Sequence, residues 1–230
     1  MAETKQVAEH DRDHVVVDRA KDFWSRYSKV ILVASSAIIL LCGGYLAYKY
    51  LVKAPKEEKA IEAMFKAEEY YRVDSLNMAL NGDGINAGFL RIIKNYDGTR
   101  AANLAKFYAG DIYLKQGNYS NAVKYLKDFS TDAKQVQARG YKLLGDAYAE
   151  QGKNSDALSN YKKAAHHFEK DEENSSEYLF IAAYFADRVM KNQKEAIGLY
   201  QELKKKYSKT QRGYDVDKYL SQLGVYNDAK

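Results

Sequence analysis

Phe107–Phe129 reads FYAGDIYLKQGNYSNAVKYLKDF, and Lys142–Ala164 reads KLLGDAYAEQGKNSDALSNYKKA. Laid over one another at a period of 35 residues, the stretches agree at Gly110 and Gly145, Asp111 and Asp146, Tyr113 and Tyr148, Gln116-Gly117 and Gln151-Gly152, and Ala122 and Ala157. Each stretch has room for two helices joined by a glycine turn. A glycine in the first helix removes the Cβ where two antiparallel helices cross. A tyrosine one turn later fills the groove, and an alanine in the second helix admits the first. Gly117 and Gly152 fall where a helix C-terminus favours a residue free to adopt positive φ. The repeat predicts an all-α chain of stacked helix pairs, with its clearest units at about 103–136 and 138–171.

The flanking sequence extends the pattern. Glu177–Met190 and Lys194–Tyr207 predict a third pair joined at Lys191-Asn192-Gln193. Its Ala196 and Tyr200 match Ala157 and Tyr161, but Tyr184 stands where the glycine would be. Tyr214–Leu223 predicts a terminal helix over the last open face. Upstream, Lys56–Leu80 predicts a helix with Ile61, Met64, Phe65, Tyr71, Leu76 and Leu80 in an imperfect apolar stripe. Asn81-Gly82-Asp83-Gly84 is a turn, and Ile85–Tyr96 predicts a second helix with Phe89, Ile92 and Ile93 facing the first. Asp97-Gly98-Thr99 ends that helix and offers Thr99 as the next N-cap. Pro55 is the only proline among 230 residues, which permits long helices, and the 21 tyrosines suit packing between them.

Val30–Val52, VILVASSAIILLCGGYLAYKYLV, is a different kind of segment. Its 23 residues carry Lys49 as their only charge, and at about 1.5 Å per residue they can cross a hydrocarbon core of about 30 Å. Trp24 and Tyr27 on one side, and Tyr45, Tyr48 and Tyr50 on the other, suit the two interfaces. The reading is a membrane span or a signal segment. Leu40-Leu41-Cys42-Gly43 superficially resembles a lipoprotein cleavage site, but Leu41 is too large for its position and the apolar run continues to Val52. An uncleaved anchor is the better reading, and Cys42, being the only cysteine, permits no intramolecular disulfide. The expected organisation is a short tail at 1–29, a transmembrane helix at 30–52 and a repeat domain at 53–230. The tail is expected to be flexible, with Val15–Tyr27 as a candidate interfacial helix. Flanking charge does not set the orientation.

Chemistry is sparse. A net charge of +5 without a basic stripe argues against nucleic-acid binding. His10 and His14 stand at i,i+4 but lack a third ligand, and the adjacent His166 and His167 diverge on a helix. Asp111 and Asp146 occupy equivalent repeat positions, which favours a structural or groove-lining role over an acid–base pair. No enzyme, cofactor or metal is expected. A protein-binding groove is expected on the concave side, formed by Leu104, Phe107, Asp111 and Leu114 of one unit and Arg139, Lys142, Asp146 and Ala149 of the next. Leu104 and Leu114 are equally readable as core between repeats.

The small, aromatic and turn positions, agreeing twice in register, resemble the tetratricopeptide repeat, although Lys134 and Glu169 stand at the positions of its closing proline. A short tail, one span and such a body are similar to the YfgM family of membrane-anchored ancillary proteins, and Gly82–Leu126 looks like the form found in Bacteroidota. That resemblance implies a non-catalytic companion of the SecYEG translocon in the bacterial inner membrane. It implies a cytoplasmic N-terminus, periplasmic repeats, a PpiD-type chaperone as partner and contact with translocating polypeptides. The alternative is a structural subunit, or an acylated lipoprotein, of an outer-membrane barrel-assembly or other envelope platform.

Overall fold

The computed structural model describes the backbone of residues 3–226 and the side chains of residues 21–226. The chain divides into two compact units, residues 1–55 and 56–230. Among the described residues the secondary structure is helical, apart from one isolated bridge between Gly82 and Ala87.

The first unit is a single helix, α1 (Glu3–Ala47), followed by a π-helical turn at Tyr48–Lys53. No glycine or proline precedes Gly43, so nothing local interrupts the helix, and the tail expected to be flexible is helical from Glu3. The expected interfacial helix at Val15–Tyr27 is part of α1. The side chains of His10 and His14 lie outside the described ones. Residues from Lys21 onward include a window of mean hydropathy 2.3, none of it buried, so one helix is long and apolar enough to cross a membrane. Ser35 Oγ donates to Ile31 O at 2.7 Å, which satisfies a hydroxyl inside the apolar run without water. Cys42 is exposed on this helix, which continues beyond it. In the wider turn that follows, Ala54 N–H reaches back to Lys49 O just before Pro55, whose ring crowds the preceding turn.

The second unit begins within α2 (Ala54–Arg72), from Lys56, and continues with α3 (Leu76–Asn81) and α4 (Phe89–Asn95). Three pairs follow: α5 (Arg100–Lys115) with α6 (Tyr119–Lys127), α7 (Lys134–Glu150) with α8 (Asn154–His167), and α9 (Glu172–Arg188) with α10 (Gln193–Lys206). The terminal helix is α11 (Gln211–Gln222). Each layer packs on its neighbours, and the core runs through the unit as three adjoining clusters.

The repeat glycines do what their positions require. A Cβ on Gly110 would stand 2.4 Å from Leu126 Cγ, and one on Gly145 would stand 2.6 Å from the Tyr161 ring. In the second helices of these pairs Ala122 and Ala157 are fully buried, as is Ala196 in the third pair. Gly117 and Gly152 turn with φ of +72° and +70°.

The third pair follows a different register from the one its alanine suggests. Asn118 N donates to Tyr113 O at 2.8 Å and Lys153 N to Tyr148 O at 2.9 Å; the matching bond in the third pair runs from Met190 N to Phe185 O at 3.1 Å. Phe185 therefore takes the tyrosine position, and Ala182, fully buried, takes that of Gly110 and Gly145. Tyr184 is instead 44% exposed. The turn is two residues longer: Tyr113 and Tyr148 precede Ala122 and Ala157 by nine, whereas Phe185 precedes Ala196 by eleven. Lys191 adopts φ +53° in this turn, a left-handed conformation held without a glycine.

Upstream, the helix expected over Lys56–Leu80 breaks at Asp74, whose φ is +58°. The next expected helix is shortened to α4, leaving Ile85 90% exposed. Asp83 organises the turn between them. Its carboxylate accepts from Tyr70 Oη at 2.7 Å and from the amides of Ile85 and Asn86 at 2.9 and 2.6 Å, and these bonds hold its pKa well below the usual range, Tyr70 contributing most. The α5 N-terminus is capped twice. Thr99 Oγ1 accepts from Ala102 N at 3.0 Å as expected, and the Glu57 carboxylate of α2 accepts from Arg100 N and Ala101 N at 2.9 and 3.0 Å.

Gly110→Ala is expected to lower stability by about 1–3 kcal/mol, because Leu126 must move. Lys191→Gly is expected to raise stability by about 1 kcal/mol by relieving the left-handed backbone. Denaturant unfolding of the solubilised full chain, followed by circular dichroism, measures both.

Candidate protein-binding face

The eight residues expected to line a groove fall into three settings. Leu104, on α5, is partly buried and lies at the junction of two open grooves. One, of about 720 Å³, runs between α2 and α5 past Ile61, Met64 and Phe65. The other, of about 620 Å³, runs from α5 to the start of α7 past Phe129 and Val136. Leu104 and Arg100 border both. Phe107, expected on the open surface, is only 5% exposed and packs with Phe129 at 5.3 Å between ring centres, so it is core. Bulk decides this: Gly140 on α7 leaves a gap that Phe129 and Phe107 fill. Arg139 stays exposed on α7 with its guanidinium 5.7 Å from the Phe107 ring, and it forms no ion pair among the described residues.

The repeated aspartates form the second setting, and both are engaged by neighbours. Asp111 is 5% exposed, not outward-facing as expected; it accepts a short bond from Tyr71 Oη and pairs with Lys115 at 3.0 Å. Asp146 accepts from Lys142 Nζ at 2.7 Å and from Tyr161 Oη at 3.0 Å. Burial pushes the Asp146 carboxyl pKa up, Lys142 and Tyr161 pull it down, and the Asp111 charge adds to the rise. Burial also raises the Tyr161 pKa, with Asp146 adding to it. These contacts bind successive helices, as a structural role requires. Leu114 and Ala149, late in α5 and α7, are partly buried against the inter-repeat cores.

The apolar opening between α2 and α5 is only partly legible in sequence. Ile61 and Phe65 are 58% and 66% exposed, whereas Met64 beside them is 4% exposed. In sequence all three belong to one imperfect apolar stripe. Periodicity registers that apolar residues recur; which arc meets a neighbour depends on where α5 lies.

Adjacent imidazoles diverge as expected: His167 packs edge-on against Tyr141 at 5.4 Å, while His166 Nε2 lies 2.8 Å from Glu202 Oε1. Glu169 completes a group of three potential donors with them. Sequence spacing gave no sign of it, because Glu202 comes from another repeat.

Phe107→Ala is expected to cost about 3–5 kcal/mol as a core truncation. Leu104→Ser is expected to cost less than half of that, since Leu104 keeps one side open. Urea midpoints of the two variants test the assignment of core and lining.

Comparison with known families agrees with this architecture. The profile of the Tetratricopeptide repeat-like domain matches residues 21–139, just over half of the chain. That of the Tetratricopeptide repeat matches residues 177–210, which cover most of α9 and all of α10. The first match begins at residue 21, so the apolar helix lies inside the family pattern. No curated protein and no solved structure matches the chain. From its stacked pairs and this match over half its length, the chain belongs to the Tetratricopeptide repeat-like domain family.

Proposed function

We propose that the protein is a non-catalytic scaffold, tethered by α1 to the bacterial inner membrane, that holds a segment of a partner protein along the grooves meeting at Leu104. The observation that carries this reading is the pairing of one unburied apolar helix with a repeat domain that keeps Ile61, Phe65 and Leu104 open to a ligand. An amphipathic segment seated there would bury its apolar side against Ile61, Phe65 and Leu104, and an acidic residue on it would meet Arg100, which borders both grooves.

The finer reading follows the resemblance of the tail, span and repeats to YfgM-type proteins. In it the tail is cytoplasmic and the repeats are periplasmic. The protein accompanies the SecYEG translocon, recruits a PpiD-type chaperone and contacts translocating polypeptides. What supports it over a barrel-assembly lipoprotein is the unbroken helix around Cys42, which places that residue inside the apolar run.

The test is mild-detergent purification of the C-terminally tagged full chain with quantitative mass spectrometry of what accompanies it. Translocon subunits and a PpiD-type chaperone in stoichiometric yield, with residues 1–29 intact, are expected. Leu104→Asp combined with Phe65→Asp is expected to reduce chaperone recovery at least tenfold while the protein remains in the membrane. Barrel-assembly proteins together with a chain beginning at an acylated Cys42 would overturn the reading.

A further inference from the structure

We propose that His166, Glu169 and Glu202 form a binding site for one divalent transition-metal ion of the zinc class, which ties the end of α8 to α10. Their donor atoms lie within 4.8 Å of one another. His166 and Glu169 are three residues apart, at the last turn of α8 and just beyond it, and Glu202 faces them from α10. His166 Nε2 and Glu202 Oε1 are already 2.8 Å apart. Small rotamer changes bring all three to the distances of about 2.0–2.2 Å at which zinc takes imidazole nitrogen and carboxylate oxygen.

The position of Lys206 also points to a cation. The Lys206 ammonium lies 2.8 Å from Glu169 Oε1 and 3.0 Å from Glu202 Oε1, so a positive charge already stands where the carboxylates converge. Its stem is flexible and the side chain is 39% exposed. An ion pair this open contributes little, and the ammonium can swing into solvent. The imidazole selects the metal class, because calcium and magnesium prefer all-oxygen sites.

The experiment uses the full chain in detergent, purified without a polyhistidine tag and stripped with chelator. Thermal unfolding is followed as zinc chloride is added, with magnesium chloride as the comparison. Zinc is expected to raise the midpoint of the wild-type protein in a saturable way and magnesium to leave it unchanged. His166→Ala and the isosteric Glu202→Gln are expected to abolish the zinc shift while leaving the metal-free midpoint near that of wild type. Lys206→Met, which removes the competing ammonium, is expected to reach half-saturation at about tenfold lower zinc. An equal shift in His166→Ala, as zinc held by His10 and His14 would give, overturns the proposal. So does the absence of a shift in both the wild type and Lys206→Met, or an unchanged half-saturation in Lys206→Met.

Discussion

At the α7–α8 crossing the backbone of Gly145 lies so near Tyr161 that a methyl group there would stand 2.6 Å from the ring, and the stacking of the second unit depends on that distance. The same approach recurs at Gly110 against Leu126. Paired helices this close present a composite surface, and the next pair packs onto it through Phe107, Phe129 and Leu144 in one layer and Tyr161 and Phe185 in the next. Dispersion falls steeply with small gaps, so a helix held an ångström further out would lose much of each layer's packing. The third pair meets the same constraint with Ala182, a slightly larger residue, and a longer turn.

Polar contacts follow the same layering. Tyr71 with Asp111, Gln135 with Asp171, Lys162 with Glu195 and Arg212 with Glu177 each join residues 33 to 40 positions apart, about one repeat. Arg212 also lies 4.0 Å over the Phe180 ring, so one guanidinium holds α11 to α9 by both charge and π-contact. These links set the register of successive layers more than they add stability, because most are open to water. The buried exception is Asp111, gripped from both α2 and α5.

The proposed function falls to the apolar surface left after the layers have packed. Leu104 and Phe107 are three residues apart on one helix, yet one borders two grooves and the other is core. In the proposed function the apolar helix supplies the other half, by keeping whatever the repeats hold at a membrane.

By itself, the sequence determined the all-α class, the 35-residue repeat, the glycine crossings, the Thr99 cap and the apolar helix. Each rests on local chemistry: a missing Cβ, a hydroxyl beside free amides, or an unbroken run of hydrocarbon. Only the tertiary structure decided which arc of α2 stays open and that Phe107 and Asp111 are enclosed. It also decided that Ala182, not Tyr184, meets the facing helix and that Glu202 joins His166. Those outcomes depend on the distance and rotation of a neighbouring helix, and no spacing within a single helix encodes them.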